Sequence, residues 1–229
     1  MYKNLNLESL GISGLSSEII ESLLTNGFKG LDLEIVEFAR QVQAQGLAKA
    51  RRAVDSARLK LSSFALPVDW DADPDQQRRE KEQHGPLAEL AQQLGCTKAT
   101  VLLPPASDVR PYHENFELCR RRLAEWGTWL ASLNIQLGVG ILAPTELRRG
   151  RAYQFIQTFD QLLLLLKMVN HPNVGVALDT WHWHLGGGTL DQLRNLGTLP
   201  VVSVALADCD ADALADTVED SARRLPGET

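Results

Sequence analysis

Short apolar runs alternate with longer amphipathic stretches along the whole chain. Seven runs have the length and apolar content of strands: Leu5–Ile12, Gly30–Val36, Lys60–Leu66, Ala99–Leu103, Ile135–Leu142, Val174–Leu178 and Val201–Leu206. The stretches between them read as helices. Ser16-Ser17-Glu18 offers an N-cap to a helix through Leu24, and Asn26-Gly27 ends it. A second helix covers Glu37–Ala57. Pro74 opens a third, broken or restarted at Gly85-Pro86, that runs to Leu94 and is closed by Gly95. Further helices are expected over Tyr153–Val169 and Leu190–Leu196. The clearest helix lies within Pro111–Leu133. There Phe116, Cys119, Leu123, Trp126, Leu130 and Leu133 trace one helical face, and Asn134 supplies a left-handed stop.

The last three runs are nearly continuous in apolar residues, as strands covered on both faces are. Strands separated by helices pair in parallel through right-handed crossovers. Seven such units predict an α/β fold, a (β/α) TIM-type barrel of parallel strands, rather than a doubly wound sheet. A complete barrel has eight units and typically about 250 residues. This chain has 229, so the eighth unit is expected to be missing. An open barrel edge would expose unpaired backbone groups and recruit another chain, making a homo-oligomer. No linker or low-complexity segment interrupts residues 1–229, which read as one domain.

Charge and cysteine content narrow the function. The 29 Asp+Glu outnumber the 23 Lys+Arg, leaving a formal charge of −6. A net negative surface offers no broad match to phosphate, which argues against nucleic acid and anionic membrane as partners. The start, MYKNLNLESLG, lacks a signal peptide's basic region and apolar run, and no apolar stretch nears the roughly 20 residues of a membrane span. Cys96, Cys119 and Cys209 are odd in number and scattered, with no disulfide framework and no zinc-type pair. A reduced, cytoplasmic protein is expected.

In a parallel barrel the chemistry sits at the C-terminal ends of the strands. Polar residues there are Asp32, Glu34 and Glu37, then Asp69-Trp70, then Glu146 and Arg148, then Asp179-Thr180-Trp181-His182-Trp183-His184, and finally Asp208, Cys209 and Asp210. The sixth run is the most informative. A carboxylate at a strand end binds a hard cation, an imidazole hydrogen-bonds a hydroxyl, and indole faces suit sugar C–H surfaces. The alternative is structural: Asp179 caps the following loop, and His182 and the tryptophans fill the barrel mouth. Arg120-Arg121-Arg122 and Arg148–Arg151 read as solvated or ion-paired positions, Glu80-Lys81-Glu82 as an exposed helical face, His84 and His171 as turn residues, and Gly186-Gly187-Gly188 as a flexible loop.

The stretch NVGVALDTWHWH at 173–184 resembles the sixth strand of the xylose-isomerase-like TIM barrels, the sugar phosphate isomerase/epimerase superfamily. LPVDW at 66–70, LLPPASD at 102–108, YHENFELCRRRLAE at 112–125, ILAPTELRRGRAYQFI at 141–156, GGGTLDQLRNL at 186–196 and RLPGET at 224–229 extend the likeness over essentially the whole chain. The resemblance implies a divalent metal (Mn²⁺, Mg²⁺, Co²⁺ or Zn²⁺) and proton transfer between adjacent carbons of a sugar or polyol through an enediolate. It also implies four ligands: Glu on strand 5, Asp on strand 6, His on strand 7 and Glu on strand 8.

Only one of the four has a counterpart. Asp179 matches the strand 6 ligand and His182 the substrate-side histidine. GVGILAP at 138–144 puts Gly140 at the glutamate position, VALAD at 204–208 puts Ala205 at the histidine position, and no strand 8 glutamate is found before Thr229. One carboxylate and water hold a divalent ion poorly, so no tightly bound metal is expected. Glu34, Glu146, His184, Asp208 and Cys209 are the conceivable substitutes. The candidate assignments are therefore His182 and Glu34 as catalytic groups, Trp70, Trp181, His182 and Arg148 as substrate-binding groups, and Asp179 at the metal position. Three readings follow: a sugar isomerase or epimerase homologue with impaired activity, a non-catalytic barrel binding a small polyhydroxylated ligand or a partner protein, or the product of a truncated coding sequence.

Overall fold

A computed structural model describes residues 2–7, 10–12 and 16–228. Among the described residues seven parallel strands form one curled sheet, a partial barrel. In chain order they are β1 (Asn4–Leu5), β2 (Gly30–Leu33), β3 (Lys60–Ala65), β4 (Lys98–Leu102), β5 (Gln136–Gly140), β6 (Val174–Asp179) and β7 (Val201–Ala205). Each pairs with its sequence neighbours, from Asn4 beside Gly30 to Asp179 beside Ala205. No pairing of β1 with β7 occurs among the described residues. An antiparallel ribbon of Ala106–Ser107 and Tyr153–Gln154 joins two loops at the strands' C-terminal ends.

The helices are α1 (Ser17–Thr25), α2 (Ile35–Gln45), α3 (Leu47–Ala50), α4 (Arg52–Ala57), α5 (Pro74–Gln93), α6 (Tyr112–Ser132), α7 (Phe159–Val169), α8 (Thr180–Leu185) and α9 (Leu190–Arg194). Ser16 caps α1 as expected, and Asn134 takes the left-handed conformation after α6. Several boundaries differ from expectation. The first strand is only Asn4–Leu5, and its expected continuation passes through positions 8 and 9, outside the described residues. The helix expected over Glu37–Ala57 is three pieces, interrupted at Gly46 with φ 82°. The helix expected to break at Gly85-Pro86 is continuous through both residues. Pro86 lies on the exposed side, where water can take up the Glu82 carbonyl that loses its helical donor. Residues 153–158 are not helical, because the Thr158–Gln161 capping box starts α7 at Phe159.

The core lies between the convex face of the sheet and the helices. Leu137 and Val139 of β5 are fully buried there with Leu123 and Leu130 of α6 and Leu162 and Leu165 of α7. Strand alternation therefore turns Gly138 and Gly140 to the concave side. β5 and much of β6 are buried as their apolar sequences suggest, but β7 is not: Val201, Val204 and Ala205 are exposed at the sheet edge. Gly175 permits the close approach of β6 and the chain entering β7, since a Cβ there would lie 2.1 Å from the Pro200 carbonyl oxygen.

The arginine run is ion-paired as expected at Arg120 and Arg122, but Arg122 is also buried. Arg122 is only 3% exposed and lies between Trp70 and Trp126, 5.1 and 5.2 Å from their ring centres. It pairs with Glu80 at 2.9 Å and donates to the Asp69 carbonyl at 3.0 Å. Glu80 is thus not on a solvated face, and His84 is a buried helix residue rather than a turn residue. Arg110 donates to the carbonyls of Trp70, Asp71 and Ala72. These contacts fix the 66–73 loop at the barrel mouth.

Candidate functional site

Asp179 ends β6 and caps α8. Its Oδ1 accepts from the backbone N–H of Trp181 at 2.9 Å and of His182 at 3.4 Å. This cap is why TWHWHL forms a helix rather than the loop expected there. It also brings Asp179, Trp181 and His182 to one place, which strand alternation alone could not do.

The other oxygen is also occupied. Arg223 Nη1 donates to Asp179 Oδ2 at 2.6 Å. The same guanidinium reaches Asp220 Oδ1 at 3.0 Å through Nη2 and lies 2.7 Å from His182 Nε2. Trp181 Nε1 donates to Asp220 Oδ1 at 3.1 Å. Glu146 accepts from the Asp220 backbone N–H. The cluster therefore joins the end of β6, the loop after β5 and the segment that follows β7.

His182 is 1% exposed. Burial pushes its pKa below the ordinary 6.5, and Arg223 adds to this while Asp179 and Asp220 oppose it. Its Nδ1 accepts from the Ala143 backbone N–H at 3.3 Å. A neutral imidazole accepts at one nitrogen only. Both nitrogens face donors, so the Ala143 N–H at Nδ1 and the Arg223 guanidinium at Nε2 compete for the single lone pair.

The remaining candidates lie elsewhere. Trp70 is 6% exposed, packs on Trp126 and Arg122, and donates from Nε1 to the Leu102 carbonyl at 2.9 Å. Trp181 is fully buried and presents only its N–H to the cluster. Arg148 donates to Thr145 Oγ1 at 2.7 Å and sits near Asp216, beside the cluster rather than in it. Glu34 is half-buried at the start of α2, past the end of β2. Arg223 and Asp220 carried no assignment from sequence. The one available signal was that Arg223 directly precedes the matched RLPGET segment.

Positions 140 and 205 bear no ligating atom. A Cβ on Gly140 would meet Leu102 Cδ2 at 2.7 Å, so a longer side chain there requires Leu102 to move. Among the described residues no three His, Cys, Asp or Glu side chains are grouped as metal ligands. The groups facing Asp179 are a guanidinium and backbone N–H donors, which do not fit a divalent ion. A cavity of about 520 Å³ lined by Arg51, Lys60 and Lys98 lies at the opposite, N-terminal end of β3 and β4. Barrel chemistry occurs at the C-terminal ends, so the mouth is the better candidate.

A family model described as a xylose isomerase-like TIM barrel matches residues 20–228. The chain belongs to that family. A xylose isomerase domain protein from Alicyclobacillus acidocaldarius has a TM-score of 0.83 at 24% identity, with 100% of this chain and 80% of that one covered. The IOLI protein with a bound zinc atom has a TM-score of 0.80 at 15% identity, with the same coverage. A D-psicose 3-epimerase with D-tagatose, from Clostridium cellulolyticum H10, has a TM-score of 0.69 at 16% identity, covering 87% of this chain and 71% of that one. These likenesses show the fold of a xylose isomerase-like barrel. No curated protein matches the chain. Among the described residues no helix is long and apolar enough to cross a membrane.

Proposed function

We propose that this xylose isomerase-like barrel is a cytoplasmic protein that holds a small sugar or polyol at the strand C-termini, and that its metal-assisted isomerisation or epimerisation is impaired or lost. The single observation carrying this reading is the commitment of Asp179. One oxygen caps α8 and the other pairs with Arg223, while positions 140 and 205 offer no ligand. Without a cation on the substrate oxygens, an enediolate has no adequate charge stabilisation.

What remains suits hydroxyl recognition. Asp179, Asp220 and Arg223 are each partly exposed and offer acceptors and donors side by side. Their charges sum to about one negative unit with His182 neutral, which disfavours phosphorylated or carboxylated ligands relative to neutral polyols. Arg148 and Glu34 stand as flanking groups for the larger parts of such a ligand.

Saturation-transfer NMR against a panel of neutral ketoses, polyols and their phosphates tests this reading. Transfer to neutral members, weakened in Asp220→Asn, is expected. Transfer to none of them, or to the phosphates alone, would overturn it.

A further inference from the structure

Two carboxylate oxygens and an imidazole nitrogen surround one positive charge at the mouth. Asp179 Oδ2, Asp220 Oδ1 and His182 Nε2 lie 2.6, 3.0 and 2.7 Å from terminal nitrogens of the Arg223 guanidinium. Carboxylate oxygens and an imidazole nitrogen are metal-type ligands, and here a side chain of the same protein occupies them. We infer that Arg223 is a resident cation, which neutralises Asp179 and excludes divalent ions from the barrel mouth. This deepens the reading of the mouth as a metal-free ligand site and rests on it.

The arginine is positioned by more than its ion pairs. The segment after β7 is tied down at several points. Asp208 and Arg224 exchange backbone hydrogen bonds at 2.9 Å in both directions. The Thr145 N–H donates to the Ala215 carbonyl at 2.8 Å, and Arg224 pairs with Asp210 at 2.8 Å. Gly227 N–H donates to Asp208 Oδ2 at 2.6 Å. The backbone therefore delivers residue 223 to the end of β6 before the side chain makes any contact. Its ring neighbour, Trp181, lies 6.0 Å from the guanidinium carbon and walls off one side.

The chemistry favours arginine for this place. Its planar fork supplies several N–H groups in fixed directions, so one guanidinium serves two carboxylates and an imidazole at once. Burial works against its charge, but Asp179 and Asp220 outweigh that and raise its pKa, so it stays protonated. A divalent ion entering from solvent would have to displace a tethered cation. It would gain no ligand from Gly140 or Ala205 in return.

The test uses the full chain stripped with chelator, with Mn²⁺ as probe, followed by calorimetric titration and thermal melting. Wild type is expected to bind Mn²⁺ no more tightly than Asp179→Asn, with no Mn²⁺-dependent rise in Tm. Arg223→Ala should melt lower in chelator and regain Tm with Mn²⁺. Its Mn²⁺ affinity should be about tenfold or more above wild type, as expected when uncompensated carboxylates are freed at a cation site. Free guanidinium ion should compete with that Mn²⁺, and Arg223→Ala/Asp179→Asn should lose the gain. Arg223→Gln removes the charge with less loss of packing and serves if the alanine variant does not fold. Arg223→Lys keeps the charge, so it should leave Mn²⁺ affinity at the wild-type level while melting lower, because an ammonium lacks the fork. Asp179-dependent Mn²⁺ binding by wild type would overturn the inference, and so would indifference to Mn²⁺ in both the alanine and glutamine variants. A sugar-binding failure with the Mn²⁺ pattern intact would remove the functional reading alone.

Discussion

Replacing Arg122 by methionine should cost about 3 kcal/mol, the lower end of the range for breaking a buried ion pair. Its partner Glu80 is left with a side chain 17% exposed, which gives the orphaned carboxylate some water and places the cost at that lower end. The substitution also removes the cation from between Trp70 and Trp126 and the donor to the Asp69 carbonyl. For a domain of this size the shift in Tm should be about 6–12 °C. Urea unfolding followed by tryptophan fluorescence would give the midpoint and slope. The slope should be unchanged, because the surface exposed on unfolding is nearly the same. The double substitution Arg122→Met/Glu80→Gln should recover a substantial part of the loss, since most of it comes from the unpaired charge rather than from the pair's net worth. A single-mutant cost within about 0.5 kcal/mol, the size of an ordinary surface change, would refute the reasoning. So would a double mutant no more stable than the single.

Stability should fall as pH drops below about 6.5, the ordinary histidine value, because burial lowers the native pKa of His84, with Arg122 adding to it against Glu80 and the Pro67 carbonyl. The unfolded chain then takes up the proton first, so the stability held above that pH is lost below it; His84→Gln should flatten this slope in denaturation series, leaving the like-signed share of His182. Burial raises the Asp32 pKa in spite of its bonds from Ser63 and Asn4, so Asp32→Asn should stabilise the fold at pH 7. Melting at stepwise lower pH should show that gain shrinking as the native carboxyl takes up its proton. Gly175→Ala should destabilise by about 3 kcal/mol, the upper end of overpacking costs, because the new methyl would meet the Pro200 carbonyl, and chemical denaturation would read the loss directly.

The repeated strand–helix pattern was legible because each unit buries one face on a common sheet. The 3.6 periodicity of α6 marked Cys119, Leu123, Trp126 and Leu130, all of which are buried. Periodicity could not show that Arg122, beside that face, is also buried, because a buried charge is decided by a partner 42 residues away. Pro86 illustrates the same limit: a breaker was tolerated where the lost hydrogen bond faces solvent. At the site, Asp179 and His182 were found by their place at a strand end, and α8 brought them together through the Asp179 cap. Arg223 was given no role because two of its partners, His182 and Asp179, are 41 and 44 residues distant, and its local partner Asp220 does not point to them. The pattern offers Trp70 and Trp181 as indole faces for a sugar, yet both are buried, since large rings gain more from core packing than from solvent.

The central claim is that the mouth retains ligand recognition without metal-assisted proton transfer. Incubation with neutral ketoses in D₂O, with Mn²⁺ supplied and carbon-bound deuterium followed by NMR, tests it most directly. Saturation transfer to at least one ketose and no deuterium at any carbon are expected. Deuterium incorporation by the unmodified chain, abolished in Asp179→Ala, would contradict it.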